Sequence, residues 1–107
     1  WAKKMERRKL SPVEVAERLK DLPNWTAGGD TIKCRFEFKN FAESLAFVNK
    51  VGAVAEELDH HPDITFGWAY AEIATTTHDR GGVTDVDIAL ATRIDEASSM
   101  QKSLSNV

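Results

Sequence analysis

The chain is poor in most features that would commit it to a specialised class. It has one cysteine, Cys34, in 107 residues, which excludes an internal disulfide framework and fits a reducing compartment. No apolar run approaches the roughly 20 residues that span a bilayer. Positive charge is not in excess: 14 Lys and Arg stand against 17 Asp and Glu, a net charge of -3 with His neutral. A phosphate-binding surface needs a basic balance, so no nucleic-acid partner is expected. No glycine-rich phosphate loop, internal repeat or low-complexity segment occurs, and no serine or cysteine nucleophile has a matched base. Histidine is scarce as well, with three in the chain, yet all three (His60, His61, His78) fall in one short stretch. Imidazole exchanges protons near neutral pH without help, so this clustering points to a proton-transfer site.

What is present is ordinary for a globular protein: 42% apolar and 29% charged residues. The length suits one domain with one core. Residues 1–10, with Lys3, Lys4, Arg7, Arg8 and Lys9, read as a flexible basic segment facing solvent, and residues 11–107 as a single domain. The chain begins at Trp1 rather than Met, so an upstream targeting segment stays open.

Ser11-Pro12-Val13-Glu14 predicts a helix start with a capping box, and Pro23 ends that helix by residue 21 or 22. A short strand over 25–27, a turn at Gly28-Gly29-Asp30 and a strand over 31–38 follow. In the second strand Ile32, Cys34, Phe36 and Phe38 alternate with Lys33, Arg35 and Glu37, the pattern of a sheet buried on one face. Asn40 and Glu43 suggest a second capping box. Phe41, Leu45, Val48, Val51, Ala55 and Leu58 mark a helix over 41–58, and Gly52 within it suggests close packing. Strands are expected at 64–66 and 70–77, and Thr84 with Asp87 caps a last helix to about residue 97, with a fraying tail from Ser98. The fold class is therefore α+β, in the order α-β-β-α-β-β-α: a four-stranded antiparallel sheet with the helices packed on one face.

His60 and His61 lie just past the second helix, and His78 at the end of the longest predicted strand. Asp59 and Asp79 adjoin them, and either carboxylate can orient an imidazole. Asp87 has a structural reading as a helix N-terminal acid. Trp68 and Phe66 are candidates for a pocket wall, with a core or interface position the alternative; Trp25 and Cys34 read as core. Adjacent histidines rarely converge on one ion, no cysteine is near and HExxH is absent, so no metal is expected.

The run Glu56-x3-His60-His61-Pro62-x5-Trp68-x9-His78, followed by Asp87, resembles the signature of the pterin-4a-carbinolamine dehydratases. Leu22-Pro23-x-Trp25, Phe36-x-Phe38, Phe41, Thr77-His78 and Gly82-Val83-Thr84 leading to Asp87-Ile88-x-Leu90-Ala91 extend the likeness over residues 11–97. Ile64 stands where animal members carry a tryptophan, and Asp79-Arg80 where they carry Glu-Cys. The resemblance implies the same α-β-β-α-β-β-α fold. It implies dehydration of 4a-hydroxytetrahydrobiopterin to quinonoid dihydropterin in tetrahydrobiopterin recycling, with no metal or organic cofactor. By motif position His60 and His78 would flank the pterin as acids, and His61 would bind and orient it. Asp59, Thr76, Thr77 and Asp79 would line the pterin pocket, with Glu56, Pro62, Trp68 and Asp87 in support. It also implies a cytoplasmic protein (nuclear as well in a eukaryote) forming a homodimer or homotetramer. A second, non-catalytic role is the alternative: a dimerisation cofactor of a transcription factor, or RuBisCO assembly.

Overall fold

The structure, a computed structural model, describes the backbone of residues 7–105 and the side chains of residues 7–101. Helix α1 spans Pro12–Arg18 and runs into a 3-10 turn, Leu19–Asp21. Strands β1 (Thr26–Gly28) and β2 (Thr31–Glu37) precede helix α2 (Phe41–Leu58). Strands β3 (Asp63–Gly67) and β4 (Tyr70–Thr75), a 3-10 turn at His78–Arg80 and helix α3 (Asp85–Ser105) complete the order. The sheet is antiparallel in the order β1-β2-β4-β3, as the alternation implies.

Register explains the single buried face. Ile32, Cys34 and Phe36 of β2 pair with Thr75, Ile73 and Ala71 of β4, and Ile64 and Phe66 of β3 pair with the same Ile73 and Ala71. Side chains alternate with period two, so these residues share one face, and their paired neighbours Lys33, Arg35 and Glu72 share the other. On that open face Arg35 Nη1 meets Glu72 at 3.1 Å and its guanidinium lies 4.2 Å from the centre of the Tyr70 ring. The buried face is covered by Phe47, Val51, Val54 and Ala55 of α2 and by Leu90, Ala91 and Ile94 of α3. Phe47 is the centre of this core, its ring 4.7 Å from Phe36 and 5.0 Å from Phe38. Trp25 is buried as expected, and its indole N–H donates to Asp95 at 2.8 Å.

The helix ends follow local chemistry. At α1 the Ser11 hydroxyl accepts from the Glu14 N–H (3.2 Å) and the Glu14 carboxylate from the Ser11 N–H (2.9 Å), a complete capping box. At α2 the Asn40 side chain accepts from the Glu43 N–H at 3.0 Å, but the Glu43 carboxylate reaches the Lys39 N–H rather than that of Asn40.

Four further expectations are corrected. The buried stripe of α2 runs through Ser44, Phe47, Val51, Val54 and Ala55, while Phe41 and Leu45 are 45% and 40% exposed; the helix has two apolar stripes, and the one bearing Phe47 meets the sheet. Gly52 makes no close packing, since a Cβ there would meet nothing within 4 Å. Helix α3 continues to Ser105, past the expected end, because Ser98 and Gln101 are buried and the Gln101 amide donates to the Glu43 carbonyl at 2.8 Å. Residues 7–10 are docked instead of loose: Leu10 is 3% exposed and its N–H donates to the Val83 carbonyl at 2.8 Å. Lys3 and Lys4 lie outside the described residues. No helix among the described residues is long and apolar enough to cross a membrane.

Candidate active site

The site begins with the way α2 stops. Asp59 has φ 51 and ψ 45, the left-handed conformation that closes many helices. Its N–H bonds the Glu56 carbonyl (3.3 Å), and the His60 N–H bonds the Ala55 carbonyl (3.1 Å). These two bonds are a Schellman motif with aspartate where glycine is usual. The sharp reversal turns His60 inward, where it is 7% exposed. The next residue, His61, faces solvent and contacts the Glu56 carboxylate through Nε2.

Asp87 receives His60. It lies in the first turn of α3 and is completely buried. His60 Nε2 donates to its Oδ1 at 2.6 Å, as does the Thr75 hydroxyl at 2.6 Å. The Thr77 hydroxyl and the Thr84 N–H donate to Oδ2 at 2.8 and 2.9 Å. A carboxylate accepts about four hydrogen bonds and donates none when ionised, so these four donors saturate it. The Thr77 hydroxyl spends its proton on Asp87, so the Thr84 hydroxyl, 2.8 Å away, donates to Thr77. The bond from the Thr84 N–H is half a capping box, so the structural and functional readings of Asp87 describe one residue doing both. The positive end of α3 adds to the field at the carboxylate.

The other imidazole nitrogen faces the N-terminal segment. Arg7 Nη1 lies 3.2 Å from His60 Nδ1. A guanidinium only donates, so Nδ1 is the acceptor and the ring proton is on Nε2, toward Asp87. Arg7 Nη2 also donates to the carbonyls of Asp59 (3.0 Å) and Leu58 (3.4 Å), satisfying C-terminal carbonyls of α2.

Strand β4 brings in the rest. Thr75 and Thr77 point toward Asp87, and Thr76, between them, points away and donates to the Asp30 carbonyl. Thr77 and Gly82 pair through their backbones (3.0 and 3.4 Å) and close a small loop with Gly81 at φ 76. His78, Asp79 and Arg80 form its exposed tip, so His78 follows directly on a residue bonded to the carboxylate that holds His60. Pro62, half-buried, leads from His61 into β3.

The structure thus gathers His60, Thr77 and Asp87 in one buried cluster, while Asp59, His61, Glu56, His78 and Asp79 are exposed. Trp68 is not brought in. It occupies the β3–β4 turn, 69% exposed, at the opposite end of a five-residue strand, about 15 Å from the histidine end at ~3.3 Å per residue. Thr76 faces away from Asp87 for the alternation reason above. Thr75 and Arg7 were not anticipated, whereas the bond between Thr84 and Asp87 is the helix cap that the sequence implied. The spacing of Thr75 and Thr77, two hydroxyls two apart at the end of an apolar strand, was the available signal for the first; Arg7 carried none. Among the described residues no three His, Cys, Asp or Glu side chains stand close enough to hold a metal ion.

A helix-backed antiparallel sheet with a buried His–Asp pair between a helix end and a strand end defines the class. Within it, residues 8–97 match the family model described as pterin 4 alpha carbinolamine dehydratase. A protein of Thermomicrobium roseum, provisionally named a pterin-4-alpha-carbinolamine dehydratase, is 43% identical over 91 residues, covering 85% of this chain and 98% of its own. One of Sulfurisphaera tokodaii, with the same provisional name, is 39% identical over 89 residues, covering 83% and 96%. The crystal structure of a transcriptional coactivator/pterin dehydratase from Brucella melitensis superposes with a TM-score of 0.80 at 30% identity, over 85% of this chain and 99% of that one. A pterin dehydratase-like protein identified as a RuBisCO assembly factor in the alpha-carboxysome superposes with a TM-score of 0.57 at 28% identity, over 69% and 86%. The chain belongs to the pterin-4a-carbinolamine dehydratase family.

Proposed function

We propose that the chain dehydrates a 4a-hydroxytetrahydropterin to the quinonoid dihydropterin, in the manner of tetrahydrobiopterin recycling. The observation that carries this reading is the buried His60, tied through Nε2 to a saturated Asp87 and presenting Nδ1 as an acceptor. The reaction breaks the C4a–O bond with a proton delivered to the departing hydroxyl, removes the N5 proton and forms the C4a=N5 double bond; water leaves. It therefore needs an acid and a base near neutral pH, the range of imidazole.

In this reading Asp87 is a positioning residue that keeps the His60 proton on Nε2 and directs Nδ1 at the pterin, where Arg7 now donates. His78, on the exposed loop tip, acts on the opposite face of the ring. His61 with Glu56 binds and orients the pterin, and Asp59, Thr77 and Asp79 border it. Thr76 acts only through its bond to the Asp30 carbonyl, and Trp68 lies outside the pocket.

The test is the dehydration rate of freshly generated 4a-hydroxytetrahydropterin, followed by ultraviolet absorbance. Acceleration over the spontaneous rate, lost in the His60→Ala/His78→Ala double variant, is the expected result. No acceleration by folded protein would overturn the enzyme reading.

The two structural neighbours described as a coactivator and as an assembly factor motivate a binding role as the second reading. An exposed apolar strip favours contact with another chain: Phe41, stacked on Phe66 at 5.7 Å, with Leu45 a turn further along α2. A homodimer or homotetramer covering it is the form we propose, and sedimentation of the purified chain decides it. A monomer at micromolar concentration would remove this support.

A further inference from the structure

Arg7 belongs to a second feature besides the histidine site. A cavity of about 400 Å³ is lined by Arg7, Arg8, Lys9 and Arg80. Four cations share one hollow in a chain whose net charge is -3, so the positive potential is local and set by the fold. The N-terminal segment is pinned by the Leu10 N–H to Val83 and lays the Lys9 stem beside Gly82, where a Cβ would come within 3.1 Å of Lys9 Cε. The loop tip that carries His78 supplies Arg80. Arg8 is offset by Glu14, which it meets at 2.8 Å; its guanidinium is the main reason the Glu14 carboxyl sits at about 2, well below the usual 4.5. The acceptors that Arg7 meets among the described residues are neutral: two carbonyls and His60 Nδ1. Among the described residues no carboxylate forms an ion pair with Arg7, Lys9 or Arg80.

Three cations without a carboxylate partner, adjoining a binding site, are the arrangement that captures an anion through charge-assisted hydrogen bonds. Arg7 links the two places directly, with one nitrogen on the His60 ring in a residue that also lines the cavity. We propose that this cavity takes an anionic group, a phosphate ester or a carboxylate, at the end of the substrate's side chain, so that the preferred substrate is a pterin with a charged tail. The proposal rests on the pterin reading above. A molecule spanning both places would draw Arg7 onto its anion and leave Nδ1 of His60 to the ring, so side-chain binding and exposure of the acceptor nitrogen occur together.

The experiment uses two stable, oxidised pterins that differ only in a terminal phosphate ester on the side chain, titrated against the full chain by pterin fluorescence at low salt. The expected result is a Kd at least tenfold lower for the phosphate ester. That advantage should shrink with rising salt, fall to threefold or less in Arg80→Gln and in Lys9→Gln, and persist in Lys33→Gln on the open sheet face. Equal affinities for the two pterins would overturn the anionic-tail proposal and leave the pterin reading standing. A phosphate preference unchanged in both Arg80→Gln and Lys9→Gln would overturn the assignment to this cavity. Binding of neither pterin would overturn the pterin reading and this proposal with it.

Discussion

His60 and His61 are neighbours in the chain and opposites in the molecule. His60 is buried, with Asp87 on one nitrogen and Arg7 on the other. His61 is exposed, its side chain 58% accessible, and meets the carboxylate of Glu56, which is itself exposed. One left-handed residue, Asp59, produces the difference by reversing the chain between helix and strand. The contrast separates two kinds of work. A buried imidazole with fixed partners has a defined tautomer and direction, which suits proton transfer; an exposed one adapts to a ligand and is cheap to remove.

The largest effect should come from the buried side. Asp87→Asn replaces one acceptor oxygen by an amide facing two donors, and an unsatisfied buried group costs about 1–3 kcal/mol. A loss of about 2 kcal/mol, or roughly 10 °C in melting temperature for a domain of this size, should appear in calorimetry together with a fall in turnover. A melting temperature within 2 °C of the parent would mean the four-donor cluster does not hold His60. The helix end that precedes the two histidines comes next. Asp59→Gly removes the strain of a non-glycine residue at positive φ and should stabilise the fold by about 0.5–1 kcal/mol in urea unfolding, less the greater freedom of glycine in the unfolded chain.

On the exposed side, His61→Ala should change stability by less than about 0.5 kcal/mol, because surface pairs contribute little. Its effect should fall on the Michaelis constant more than on turnover; a selective drop in turnover would erase the division of labour. The smallest effect concerns Glu14, which is exposed and screened. Its carboxyl is lowered to about 2 from 4.5, chiefly by Arg8 and then by the Ser11 N–H. A depressed folded-state pKa contributes stability that is present above 4.5 and lost as pH falls toward 2. Urea midpoints at pH 6 and pH 3 should therefore differ less for Glu14→Gln than for the parent.

How much of this was legible varies with the range of the interaction. Ser11 with Glu14, the 31–37 alternation and the span of α2 are readable because they depend on residues two to four apart. The placing of the apolar face of α2 was less readable, since Phe41, Leu45 and Phe47 all satisfy a helical period and only contact with the sheet selects Phe47. The pairing of His60 with Asp87 was legible through the spacing of the motif. The role of Thr75 and the distant location of Trp68 were not, because they depend on which way a strand residue faces and where a hairpin turns.

The sequence by itself determined the order of elements, the single buried face of the sheet and the collection of histidines near a helix end and a strand end, all through local periodicity and capping. Only the tertiary structure decided that His60 rather than His61 is buried, that Asp87 gathers four donors, and that Arg7 reaches the imidazole. Those contacts join residues 27 and 53 positions apart in the chain, and no local pattern encodes a meeting that packing alone brings about.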